Sequence, residues 1–390
     1  MNSFNKKKKV LFVMDSYRVG GTTVSTRNIV GLLDQDKYEP YIWVLSDIGL
    51  LKDLFADCKI IKTCFVLHAI MLSSFKDEER LIPRIGVMII RFLKHHSSKL
   101  KECFYSYSVK KCLKNMEFDT VVACAEGATT DFVSYMIHPN RVTWVRCDYA
   151  NYFTQQQIES KRSQYSVFNH IVCVSEKVKD GFDNVYPEYA NKTICIHNPQ
   201  DVNLLIKRAE IDDGDNRFKT DKTCIVSIGR ICELKRFHVI PSIAKQLIDK
   251  GLDFRWYIIG DGDEEEKINI SAEIEKYKVS DNVILLGAKS NVHYYINKAN
   301  LLVSLSRTEA CPRVVNEAKV LHTPVVSTDY RTIYEYIVDH ENGIITPIDQ
   351  IGDAVYDILT NKVLYDKIES NISTFTFDNS LLLEKIESVL

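Results

Sequence analysis

Two carboxylates with seven residues between them, Glu309 and Glu317, stand in the stretch LLVSLSRTEACPRVVNEAKVL, residues 301–321. The apolar run Leu301–Val303 is short enough for a buried strand, Ser304 to Cys311 is a polar turn, and Pro312 suits the first turn of a helix, where its missing N–H costs nothing. At about 100° per residue, Glu317 lies roughly 60° from Val314 and 40° from Leu321, at the edge of the apolar stripe Val314, Ala318, Leu321. Arg313, Asn316 and Lys319 fall on the opposite, solvent face. A strand end with one acid in its turn and a second one helical step further in makes a ligand site in an open α/β sheet. The competing reading of this stretch is a surface acid and an edge-of-core acid held in a salt bridge.

Other polar residues of chemical interest also follow short apolar runs. Gly229-Arg230, with Lys235 beyond, follows TCIVSI, and Gly260-Asp261-Gly262-Asp263 follows FRWYII. Gly20-Gly21 follows VLFVM and opens a helical pattern, where backbone N–H groups can meet an anion or a hydroxyl. Glu126 follows TVVACA, Arg146 and Asp148 follow RVTWV, and Ser175 follows IVCV.

Those runs are the elements that must position the site. Val10–Met14, Tyr41–Leu45, Lys59–Ile61, Thr120–Ala125, Arg141–Val145, Ile171–Val174 and Thr193–Ile196 read as strands. A second series reads the same way: Thr223–Ile228, Phe254–Ile259, Asn282–Leu286, Leu301–Leu305, Pro324–Ser327 and Gly343–Thr346. Alternation with helical segments is the signature of doubly wound parallel sheets. Between the series, Asp201–Asp221 is polar and reads as a linker, and the tail Ile351–Leu390 reads as helices. The expected division is 1–205, 206–370 and a C-terminal helical segment 371–390 that can pack back on the first domain.

The 390 residues are 45% hydrophobic and 26% charged, which describes a globular chain with ample core. A net charge of −2 gives no general attraction to nucleic acid. The eleven cysteines form no C-x-x-C pair, and several sit in apolar runs, the pattern of reduced cytosolic thiols. No apolar run is long enough to span a membrane, and the run after Lys6–Lys9 is too short for a signal peptide. Arg80–Lys114 stands apart, with nine Lys or Arg against the single acid Glu102. Its basic residues interleave with Ile85, Val87, Met88, Ile89 and Phe92. Such a segment suits an anionic membrane surface or a solvated helix face on the sheet.

In order along the chain, IGRICELK, IIGDGD, LLG, the Glu309/Glu317 pair and ENGIIT resemble the donor-binding half of glycosyltransferase family 4. The paired α/β series resembles the GT-B architecture, two Rossmann-like domains with a cleft between them. The resemblance implies a retaining transferase that takes a sugar from a UDP or GDP donor. Arg230 and Lys235 would then hold the diphosphate, Glu309 would face the donor sugar, and Glu317 the ribose. Gly20, Gly21, Gly229, Gly260, Asp261, Cys311, Pro312 and Arg313 would line the donor site; Glu126, Arg146, Asp148 and Ser175 would line an acceptor or sugar pocket. Fixed cations at the leaving phosphate stabilise the charge that builds there, and a carboxylate near the sugar favours an oxocarbenium-like centre.

No resident cofactor or metal is expected. The look-alike pairs Asp261/Asp263 and Asp213/Asp215 offer the rival reading of a divalent-ion site. Related enzymes often carry a histidine where this chain has Arg146 in TWVRCDY, and arginine cannot serve as a general base. The implied acceptor is a cell-envelope glycan or lipid-linked glycan, with the enzyme cytoplasmic and possible at the inner membrane face. Two rivals remain: an epimerase or hydrolase of the same architecture, and a silent sugar-nucleotide-binding protein.

Overall fold

A computed structural model describes residues 6–18, 20–49, 51–72, 86–89, 92, 98–218 and 221–390. It separates into two compact units: residues 1–199 with 379–390, and residues 200–378.

The first unit is built on a seven-stranded parallel sheet: β1 Lys8–Met14, β2 Tyr38–Val44, β3 Lys59–Ile61, β4 Thr120–Ala123, β5 Arg141–Val145, β6 His170–Cys173 and β7 Thr193–Cys195. Their order is β3-β2-β1-β4-β5-β6-β7, so the winding reverses between β1 and β4. Val10 to Met14 are at most 1% exposed, as expected of a strand covered on both faces. The helix Ser380–Val389 belongs to this unit: Ile386 and Val389 are buried, Thr120 donates to the Leu390 carbonyl at 2.5 Å, and Lys37 pairs with Glu387 at 3.4 Å.

The second unit holds a six-stranded parallel sheet: β8 Thr223–Ile228, β9 Phe254–Ile259, β10 Val283–Gly287, β11 Leu301–Ser304, β12 Val325–Thr328 and β13 Ile344–Thr346. The order is β10-β9-β8-β11-β12-β13, reversing between β8 and β11. Successive strand residues feed two cores on opposite faces. Ile225, Trp256, Ile258 and Val303 enter one; Val226, Tyr257, Ile259 and Leu302 enter the other. That period of two, apolar on both phases, is why these strands read as continuous apolar runs.

Two sequence expectations change. The segment 201–221 is not a bare linker. Asp201 caps the helix Val202–Ala209 through the Leu204 N–H at 2.9 Å, and Leu205 and Ala209 are buried. Two buried positions in so short a helix give too little periodicity to stand out among polar neighbours.

The helix after β11, Arg313–Val320, has no clean solvent face: Val315, Asn316, Glu317, Ala318, Lys319 and Val320 are all buried. Lys319 donates to the Tyr336 carbonyl at 2.7 Å and lies 4.2 Å from the centre of the Phe375 ring, so later chain covers the face that periodicity assigned to water.

The tail contains separate helices, Lys362–Ser373 in the second unit and Ser380–Val389 in the first. Much of the basic segment, residues 80–85, 90–91 and 93–97, lies outside the described residues. Its described portion includes helical residues 86–89 and the helix Ser98–Leu113. No helix among the described residues is long and apolar enough to cross a membrane.

Candidate functional site

In an open α/β sheet, ligands bind beyond the carboxyl ends of the strands, where the winding reverses. In the second unit those strands are β8 and β11. β8 runs into Gly229-Arg230, and β11 into the turn that carries Glu309.

The turns after β8 and β9 are stacked backbone on backbone. Ile231 N–H donates to the Asp261 carbonyl at 3.0 Å, and Asp263 N–H to the Ile231 carbonyl at 2.8 Å. The packing leaves no room for side chains: a Cβ on Gly260 would lie 1.8 Å from the Gly229 carbonyl oxygen, and one on Gly262 2.0 Å from that of Ile231. Gly260 also has φ +154°, which other residues rarely adopt.

Lys235 reaches Glu309 directly and forms an ion pair with it. Ser306 donates to the same carboxylate at 2.7 Å, and Thr332 donates to the Glu309 carbonyl at 2.6 Å. Arg307 N–H donates to the Leu234 carbonyl at 2.8 Å, tying the two turns together. Gly229 makes space for the lysine, since a Cβ there would sit 3.2 Å from Lys235 Cε. Arg230 is largely exposed and pairs with Asp263 at 3.2 Å. An exposed cation and a part-buried cation–carboxylate pair thus stand over the reversal point, an arrangement able to take an anion beside a carboxylate.

Glu317 is buried, with its side chain 7% exposed. Arg313 donates to its Oε1 at 2.6 Å, and His293 Nε2 lies 3.8 Å from the same oxygen. Burial opposes its charge, yet Arg313 and then His293 outweigh that and hold the carboxyl down to about 2. Cys311 and Pro312 lead into this helix, with Pro312 at its N-cap.

The remaining sequence-selected residues lie in the first unit. Arg146 Nε donates to the Cys124 carbonyl at 2.7 Å, and Nη1 to Ser25 at 2.9 Å and Asn198 at 2.5 Å. Its backbone N–H donates to Glu126 at 2.7 Å. Arg146 and Glu126 therefore staple the ends of β4 and β5 to the helix Gly21–Leu32 and the turn after β7. Gly20 and Gly21 open that helix and are exposed. Ser175 is fully buried and caps the helix Glu176–Val185 through the Val178 N–H at 3.2 Å. Asp148 is buried against that helix, where a Cβ on Gly181 would come 3.3 Å from its carboxylate.

The acids of both Asp-x-Asp pairs have basic partners. Asp261 takes Lys267 at 2.8 Å and Asp263 takes Arg230. Asp213 and Asp215 take Lys289 at 3.3 and 2.6 Å, and Arg217 lies 2.6 Å from Asp215.

Sequence reading did not select His293, Ser306, Thr332, Ser25 or Asn198. Ser306 and Asn198 sit in polar turns that were visible as strand ends. His293 and Ser25 carry no local signal, since only the fold brings them to their partners.

Residues 208–374 match the family described as Glycosyl transferases group 1. An uncharacterised glycosyltransferase of Methanocaldococcus jannaschii is 23% identical over 65% of this chain and 66% of its own length. The capsular polysaccharide biosynthesis glycosyltransferase CapM of Staphylococcus aureus is 21% identical over 56% of this chain and 60% of its own. The matched stretches thus span about two thirds or less of these relatives' lengths. The structure of HepE from Anabaena, solved with UDP and glucose, superposes with a TM-score of 0.76 at 15% identity, covering 98% of both chains. Residues 208–374 thus carry the pattern of the group 1 glycosyl transferases, and the chain shares the GT-B fold of HepE.

Proposed function

We propose that the protein is a retaining hexosyltransferase that moves a sugar from a UDP or GDP donor to a glycan or lipid-linked acceptor in cell-envelope polysaccharide synthesis. The observation that carries this reading is the Lys235–Glu309 pair at the reversal point of the second sheet. Lys235 and Arg230 are the cations for the donor diphosphate. As the sugar–phosphate bond breaks, negative charge grows on the leaving oxygen, and fixed positive charge there lowers the barrier. Glu309, held by Lys235 and Ser306, is the carboxylate for the sugar side. Two protein cations at the diphosphate do the work that a divalent ion does elsewhere, so no metal is required in this account.

Retention rests on the resemblance of the paired-glutamate motif. The donor reading is supported by the UDP and glucose bound to HepE, and the envelope role by the capsular relative. Acceptor chemistry is assigned to the first unit, at the edge marked by Glu126, Arg146, Asp148 and Ser175.

A cytoplasmic enzyme working at the inner membrane face also fits the exposed surface of the first unit. Phe65, Met88, Ile89 and Phe92 are 45–61% exposed, and Val87 packs with Ala69 and Leu72 beneath them. Lys99, Lys110, Lys111 and Lys114 are exposed on or just after the helix Ser98–Leu113.

The test is a thermal-shift screen of UDP- and GDP-sugars, followed by turnover with and without glycan acceptors. A stabilising donor consumed only when acceptor is present supports transfer. Consumption without acceptor assigns an epimerase or hydrolase instead, and stabilisation without any turnover assigns a binding protein.

A further inference from the structure

The two oxygens of Glu317 are used unequally. Oε1 takes both Arg313 at 2.6 Å and His293 at 3.8 Å. No hydrogen bond from the described residues reaches Oε2. The two partners are mounted differently. Arg313 is one turn back on the same helix and moves with it. His293 begins a different helix, His293–Lys298, after β10.

That second mount is firmly held. Asn291 donates to the Arg208 and Ile211 carbonyls at 2.8 and 3.0 Å, Arg208 donates to the Ser290 carbonyl, and Lys289 pairs with Asp213 and Asp215. Of the imidazole nitrogens, Nδ1 is buried and has no hydrogen-bond partner among the described residues. Nε2 is therefore the nitrogen through which the ring acts, and a proton on it aims its dipole at the carboxylate. At 3.8 Å this is electrostatic steering rather than a hydrogen bond.

We propose that His293 is a positioning residue for the nucleotide: with Arg313 it holds one oxygen of Glu317, so that the other is presented to the vicinal hydroxyls of the ribose. This rests on the nucleotide reading of the site given above. His293 touches the carboxylate and not the reacting atoms, so its removal blunts recognition of the ribose without abolishing affinity for the diphosphate.

The experiment is calorimetry with UDP and 2′,3′-dideoxy-UDP, or the guanosine pair if the wild type binds that base instead. The proteins are wild type, His293→Leu, His293→Ala and His293→Gln. A hydroxyl bonded to a carboxylate is worth about tenfold in affinity. Wild type should prefer the ribose form by about that factor. The Leu and Ala variants should fall to within about twofold, and Gln, which keeps a donor, should recover most of the preference. The ratio of the two affinities is insensitive to a general loosening of the fold, and Ala serves if Leu does not fold. If Leu or Ala weakens both nucleotides together and keeps the wild-type ratio, His293 is merely structural and the proposal falls. If wild type binds neither the uridine nor the guanosine nucleotides, the nucleotide reading falls with it.

Discussion

Lys235 and Glu309 stand 74 positions apart in the chain and meet as an ion pair, their side chains 21% and 18% exposed. Neither belongs to a strand. Each is placed by a turn that leaves one of the two neighbouring strands at which the sheet reverses, and the Arg307–Leu234 backbone bond joins those turns. Side chains fixed in this way need little reorganisation when a charged ligand arrives, which is the condition for electrostatic catalysis.

The two glutamates should therefore separate kinetically. An interaction made only in the transition state appears in kcat, whereas one made equally with the bound substrate appears in KM. Glu309→Gln should lose turnover by about 100-fold or more and still bind free nucleotide. Glu317→Gln should weaken binding of the free nucleotide as well. Steady-state rates with calorimetric affinities check this, and normal values in both variants would leave the pair purely structural.

Gly260 should not tolerate a side chain. An added Cβ would stand 1.8 Å from the Gly229 carbonyl oxygen, at a φ of +154°. Gly260→Ala should cost about 2–4 kcal/mol of stability, measured by urea unfolding. Gly214, at φ +77° with open space around its Cβ position, is the control, since it carries the backbone penalty without the clash. Equal losses at the two sites would contradict the close stacking of the turns.

Acid should expose the Glu317 network. The folded protein holds this carboxyl down to about 2, whereas in an unfolded chain it titrates near the ordinary value of about 4.3. The unfolded state therefore takes up the proton first. The stability this group supplies is complete above about pH 5 and is lost as the pH falls toward 2, on the order of 2–3 kcal/mol in all. Glu317→Gln should lose less stability than wild type across that window. Parallel stability curves for the two proteins would contradict the assignment.

The strand framework was legible because both phases of each buried strand are apolar. Every strand read from the sequence has its counterpart, differing only at the ends. The glycine turns and the Glu309–Lys235 partners were legible as polar residues at strand ends. The environment of Glu317 was not. Helical periodicity places it at a stripe edge but cannot foresee that Tyr336 and Phe375 cover the far face, or that His293 arrives from another helix. Arg146 shows the same limit: its bonds to Ser25 and Asn198 depend on chain contacts that local sequence does not carry.

The exposed side chains of Phe65, Met88, Ile89 and Phe92, with the exposed lysines of the helix Ser98–Leu113, give a separate test. The protein should sediment with anionic phospholipid vesicles and not with neutral ones. Binding should fade as salt rises, because exposed charges are screened over about 10 Å at 0.1 M. Met88→Ser with Phe92→Ser should weaken binding to the anionic vesicles. Equal behaviour with both vesicle types would leave a solvated face.

The central claim is that Arg230 and Lys235 receive a nucleotide diphosphate, and calorimetry with UDP, GDP and their parent nucleosides tests it most directly. Bonds to charged groups are worth roughly 1.5–3 kcal/mol, so Arg230→Ala and Lys235→Ala should each weaken diphosphate binding about tenfold or more and leave nucleoside affinity unchanged. Diphosphate affinity equal to wild type in both variants would contradict the account.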